Sequence, residues 1–77
     1  IMKVQDLRNE LSNGVTDFAF IKKDGTVRLA QGTTNLAFVP VEKHPKGGKA
    51  SDKVLAYFDL EKDNWRCLSV NTEFITA

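Results

Sequence analysis

The stretch FAFIKKDGTVRLAQGT, Phe18 to Thr33, reads as two strands folded back on one another. Asp24-Gly25 suits a two-residue hairpin turn, because both central residues of a type I′ turn take positive φ and glycine does so without a Cβ clash. That turn predicts a register in which Lys23 faces Thr26, Lys22 faces Val27, Ile21 faces Arg28, Phe20 faces Leu29 and Phe18 faces Gln31. Phe18, Phe20, Val27 and Leu29 then share one face, and Ala19, Ile21, Arg28 and Ala30 share the other. The aromatic face is the expected core side.

Upstream, Val4, Leu7 and Leu11 fall at helical spacing with Gln5, Arg8, Asn9 and Glu10 on the opposite side. Ser12-Asn13-Gly14 supplies a stop at which Gly14 takes positive φ. The spacing predicts a helix over about 3–12, too short to be stable alone in water, so its apolar stripe must rest on the rest of the fold. Downstream, TTNLAFVP (Thr33 to Pro40) carries a short extended run with Leu36, Phe38 and Val39, ended by Pro40. VEKHPKGGKASDK (Val41 to Lys53) is a flexible basic loop on composition. VLAYFDL (Val54 to Leu60) and WRCLSV (Trp65 to Val70) flank the polar turn Glu61 to Asn64, with Leu60 facing Trp65 and Asp59 facing Arg66 in the simplest register. Phe74 and Ile75 suit a closing strand. Short antiparallel strands in so small a chain hide their edges best by curling up. The expected fold is therefore a mainly β, SH3-like antiparallel barrel of about five strands with a short N-terminal helix on an open end. It forms a single domain over 1–77, with the barrel at about 15–76 and the basic loop at 41–53. The expected core is Val15, Phe18, Phe20, Val27, Leu29, Leu36, Phe38, Phe58, Leu60, Leu68 and Val70.

Composition limits function. The 77 residues are 42% hydrophobic and 27% charged, an ordinary globular balance. A domain this small buries only about 60% of the surface its unfolded chain exposes, which leaves little room for a deep enclosed active site. The formal charge of +1 gives no overall field toward nucleic acid or membrane, so any electrostatic footprint is local. Cys67 stands alone, which excludes an internal disulfide framework and fits a reducing compartment. No apolar run approaches a membrane span, and IMKVQDLRNEL mixes charges into its pattern where a signal peptide has a continuous apolar core. The expected location is cytoplasmic, with no membrane association.

The combination of KKDGTVR, GTTNLAFVP, a Lys/Gly-rich loop and YFDLEKDNWRCLSVN resembles a family of short bacterial proteins with an SH3-type β-barrel fold and no established biochemical role. The likeness covers most of the chain after Gly14 and implies a barrel. VLAYFDLEKDNWRCLSVNTEFI is also similar to the end of a WYL domain, where an aromatic and acidic strand precedes one of the form Arg-x-Phe-x-hydrophobic. That likeness implies a ligand-sensing or nucleic-acid-sensing barrel in which Tyr57 and Arg66 match function-bearing positions. Leu68 stands where an aromatic is common, Ser69 where a basic residue is common, and the WYL tripeptide is absent. The likeness therefore speaks to fold more than to ligand.

Catalytic chemistry finds no foothold. Nothing in the sequence brings His44 to Cys67, and a lone Cys in a strand usually acts as a small hydrophobe. One His and one Cys do not make a zinc site, and KGGK lacks the phosphate-cradling pattern and its strand-to-helix context. Asp59 and Asp63 read as a cross-strand partner of Arg66 and a turn former. No catalytic residue, metal or cofactor is expected, and the chain reads as a nonenzymatic binding module. From Lys43 to Lys53 there are four lysines against one aspartate, a local +3 that leaves −2 on the rest. The candidate binding residues are Lys43, Lys46, Lys49, Lys53, Tyr57, Trp65 and Arg66. A protein partner, or self-association through an exposed strand edge, ranks first. Single-stranded nucleic acid held by the lysines and neighbouring rings ranks second, and a WYL-type ligand sensor is a further alternative.

Overall fold

The helix forms where its apolar spacing predicts. In a computed structural model that describes residues 2–45 and 52–76, α1 spans Val4–Asn13 and buries Leu7 and Leu11 completely. Five antiparallel strands follow: β1 (Thr16–Ile21), β2 (Val27–Thr33), β3 (Val54–Asp59), β4 (Asn64–Ser69) and β5 (Glu73–Thr76). They form one sheet in the order β4-β3-β2-β1-β5, so its two end strands are the pair joined by the short turn after Ser69. The Leu7 and Leu11 stripe packs with Phe18, Ala30, Leu55, Tyr57 and Phe74, all buried, and this cluster is the core. Phe18 is its centre, with ring centroids 5.2 Å from Tyr57 and 6.3 Å from Phe74, both edge-to-face.

The first hairpin differs from the expected register by one residue. Its loop holds three residues, Lys23, Asp24 and Gly25, closed by Lys22 N–H to the Thr26 carbonyl at 2.8 Å and Gly25 N–H to the Lys22 carbonyl at 2.9 Å. Gly25 alone takes the left-handed conformation there, at φ 89°, the pattern of a type I turn finished by a glycine bulge. The Asp24 carboxylate accepts the Thr26 N–H at 2.9 Å and is held below its ordinary pKa chiefly by hydrogen bonding to Thr26. Phe18 now faces Ala30, Ala19 faces Leu29, Phe20 faces Arg28 and Ile21 faces Val27. A one-residue slip moves every side chain of a strand to its other face. Val27 and Leu29, expected in the core, are therefore 53% and 74% exposed, while Ala30 is buried and Arg28 joins the phenylalanine face.

The rest of the expected core is corrected in the same terms. Phe58 is buried as expected, Phe20, Leu60, Leu68 and Val70 are half-buried, and Val15, Leu36 and Phe38 are exposed. Leu36 to Phe38 is a 3₁₀ turn, not an extended run, because the Asn35 side chain accepts the Ala37 N–H at 3.0 Å and starts the turn. Val41 to Lys43 is a second 3₁₀ turn inside the segment expected to be loop. Gly14 lies at φ 163°, which is extended backbone. The helix is stopped instead by β2, where the Leu11 carbonyl accepts the Thr33 hydroxyl at 3.0 Å and the Thr34 N–H at 3.0 Å. The second hairpin has a four-residue loop, Leu60 to Asp63, with Phe58 facing Trp65 and Tyr57 facing Arg66. That is a shift of two from the expected pairing, which leaves the faces unchanged.

Candidate functional site

The residues singled out from sequence separate in space. Tyr57 is 1% exposed and belongs to the core cluster, so its ring is not a surface platform. Trp65 lies on the opposite face of the β3–β4 hairpin, 5.6 Å from the Phe58 ring, and its indole N–H donates to the Lys43 carbonyl at 2.6 Å. That bond ties the two 3₁₀ turns to β4 and explains why Trp65 is half-buried. His44 works in the same segment, its Nε2–H donating to the Val39 and Leu36 carbonyls at 2.9 and 3.1 Å. Lys43 is half-buried and Lys53 is exposed, while Lys46 and Lys49 lie outside the described residues. Asp59 is buried and accepts the Glu61 and Lys62 N–H groups at 2.9 and 3.2 Å, so it shapes the turn instead of pairing with Arg66. Among the described residues no three His, Cys, Asp or Glu side chains converge as a metal site, and no helix is long and apolar enough to cross a membrane.

What the structure does bring together is the free edge of β4 and a cleft beside it. Among the described residues β4 pairs only with β3. The far side of β5, the other end strand, is met by the N-terminal segment, where Met2 N–H donates to the Phe74 carbonyl at 2.7 Å. The phase of the β3–β4 ladder follows from the Val70 N–H donating to the Lys53 carbonyl at 3.1 Å. Hydrogen-bonded and non-bonded pairs alternate from there, so Arg66 and Leu68 spend their backbone groups on β3, and Trp65, Cys67 and Ser69 turn theirs away from it, the Ser69 carbonyl accepting the Thr72 N–H at 3.0 Å. The Trp65 N–H is taken by the Asn64 side chain at 2.9 Å. Cys67 and Ser69 are left to present the outward donors of the edge.

This edge is one wall of a cleft of about 580 Å³. Its opposite wall is the tip and inner face of the first hairpin, with Phe20, Lys22, Lys23 and Arg28, and its end is closed by the turn into β5 with Glu73. Phe20 and Leu68 pack against the core and form an apolar floor. Arg66, opposite Tyr57 in the ladder, reaches the same side as Arg28. The two guanidiniums act together on Tyr57, whose hydroxyl pKa is raised above 10.0 by burial and by Asp59 while Arg66 and Arg28 pull it down. Four cations against one acid give the cleft an excess of three positive charges. Of these, only Arg66 was a candidate from sequence. Arg28 was missed because the two-residue turn put it on the wrong face.

A family model described as WYL_2, Sm-like SH3 β-barrel fold, matches residues 4–72 of the chain. An uncharacterized 11.5 kDa protein in the Gp31-cd intergenic region of Enterobacteria phage T4 is 35% identical over 69 residues, covering 84% of this chain and 68% of its own. No solved structure matches the chain. The chain belongs to the WYL_2 family of Sm-like SH3 β-barrels.

Proposed function

We propose that this WYL_2-family chain is a nonenzymatic module that recognises a protein partner by accepting an extended segment along β4. The observation that carries the reading is the ladder phase: Cys67 and Ser69 turn their N–H groups, and Trp65 and Cys67 their C=O groups, away from β3, at the sheet end that no strand or N-terminal segment among the described residues covers. A row of outward donors and acceptors spaced two residues apart is the template that strand addition uses, with main-chain bonds supplying affinity and alternate side chains supplying selectivity. The nucleic-acid alternative needs rings beside the basic loop as stacking platforms, and the burial of Tyr57 and the bonding of Trp65 to Lys43 weigh against that arrangement.

Cys67→Pro tests this reading. Proline removes an outward donor without touching the bonds to β3, a position that an edge strand tolerates. Tagged wild-type and Cys67→Pro proteins, matched for cooperative melting, are used to capture partners from native lysate with and without nuclease. Strand addition predicts proteins retained by the wild type and lost from the variant. Partners that vanish with nuclease, or that bind both forms equally, contradict it.

A further inference from the structure

We infer that the cleft beside β4 selects the partner by charge: its occupant is an acidic, extended polypeptide segment in which Glu or Asp alternates with apolar residues. This rests on the strand-addition reading and adds the chemistry of the segment. A strand paired to the free edge sends every second side chain to the inner face of the sheet. There those side chains meet Phe20 and Leu68 along the floor and the guanidiniums of Arg28 and Arg66 at the rim, with Lys22 and Lys23 at the hairpin tip. Lys22 has the Asp24 carboxylate beside it at the hairpin tip, and Glu73 is the one acid in the lining of the cleft. The whole chain carries only +1, so a cleft with an excess of three positive charges is a local concentration set against an acidic remainder. Such a site draws in opposite charge and repels basic segments, which gives selectivity as well as a faster encounter. The apolar floor is what distinguishes an alternating peptide from a bare polyanion: two half-buried hydrophobic side chains are covered only by a partner that brings apolar groups of its own. From Arg66 to Ser69 the edge runs four residues, about 13 Å at strand rise, so a segment pairs with it over about four residues and a hexapeptide covers it with about one residue to spare at each end.

The test uses fluorescein-labelled, end-capped hexapeptides and anisotropy. The probes are an alternating Glu/Val peptide, its Lys/Val counterpart, and a Glu/Val peptide N-methylated on alternate amides in each of the two phases. A homothymidine oligonucleotide serves as the bare polyanion. The Glu/Val peptide should bind at least about tenfold more tightly than Lys/Val, and it should weaken about tenfold or more with Arg66→Glu. The exposed-tip variant Lys22→Gln/Lys23→Gln, which leaves the ladder and floor untouched, should weaken it less, and raising salt from about 50 to about 500 mM should also weaken it. One phase of N-methylation should abolish binding and the other should not. Equal binding of Lys/Val and Glu/Val overturns the charge inference while leaving strand addition standing. Equal binding of both N-methylated peptides overturns strand addition while leaving an acid-selective cleft. An oligonucleotide that binds in an Arg66-dependent way where the Glu/Val peptide does not overturns the peptide assignment.

Discussion

Replacing Leu29 with alanine should change stability very little, and the reason lies in the three-residue loop of the first hairpin. Leu29 sits on β2 opposite Ala19 and keeps 74% of its surface in solvent, so about a quarter is covered. Full burial of a leucine is worth roughly 1.5–3 kcal/mol, which puts the covered part near 0.5 kcal/mol. Strand propensity adds a few tenths, giving a total cost under about 1 kcal/mol. Leu55, 1% exposed in the core cluster, supplies the control, because the same truncation there leaves a cavity and costs about 2–5 kcal/mol. Urea unfolding followed by the fluorescence of Trp65 reads both. With a slope of about 1 kcal/mol per molar for a domain of this size, Leu55→Ala should move the midpoint by about 2 M or more and Leu29→Ala by less than about 1 M. A Leu29→Ala loss equal to that of Leu55→Ala would put Leu29 back in the core, and with it the two-residue turn and Arg28 on the outer face.

Gly32→Ala should destabilise by about 1–3 kcal/mol, because a Cβ there is driven into the Tyr57 ring and the Phe58 carbonyl where β2 meets β3. The same melts would show it as a lower midpoint at unchanged slope. Thr33→Val keeps the shape but removes the donor to the Leu11 carbonyl and the acceptor for the Asn35 N–H, at a cost of about 1–3 kcal/mol. Faster exchange of the Asn35 amide would locate that loss. Tyr57 is the sole tyrosine, and its folded pKa is raised above the ordinary 10.0 by burial first and Asp59 second. The neutral hydroxyl is therefore the form that folding favours, so its contribution is complete below about pH 10 and is lost as the pH climbs through the folded value. Phenolate absorbance should titrate late in the folded protein, and Tyr57→Phe should remove the corresponding part of the alkaline decline in stability.

Elements whose signal is local were legible in the sequence. The helix expected over about 3–12 is Val4–Asn13, since Val4, Leu7 and Leu11 carry the period by themselves. The second hairpin kept its faces because its register moved by two. The first did not, because Asp24-Gly25 fits both a two-residue turn and the end of a three-residue loop, and only the bond from Lys22 to Thr26 separates them. Leu36 and Phe38 looked like a strand because apolar residues in a short run do not say which period they follow, and the Asn35 cap that decides it is a single hydrogen bond. The cleft was hidden for a different reason. Lys22 and Arg28 share the first hairpin but Arg66 lies far downstream, and only the strand order, with β4 and β5 at the sheet's two ends, brings that hairpin's tip across from the β4 edge. The lone aromatic chemistry of Tyr57 and Trp65 carried no sign that one ring fills the core and the other fastens Lys43.

Amide hydrogen exchange of β4, resolved residue by residue by NMR with and without saturating Glu/Val hexapeptide, addresses strand addition most directly. The Arg66 and Leu68 amides already donate to β3, whereas those of Cys67 and Ser69 face outward, so new protection is expected at Cys67 and Ser69 and none at Arg66 or Leu68. Protection without that alternation, or protection confined to Lys43 and Lys53 while Cys67 and Ser69 exchange as before, would contradict it.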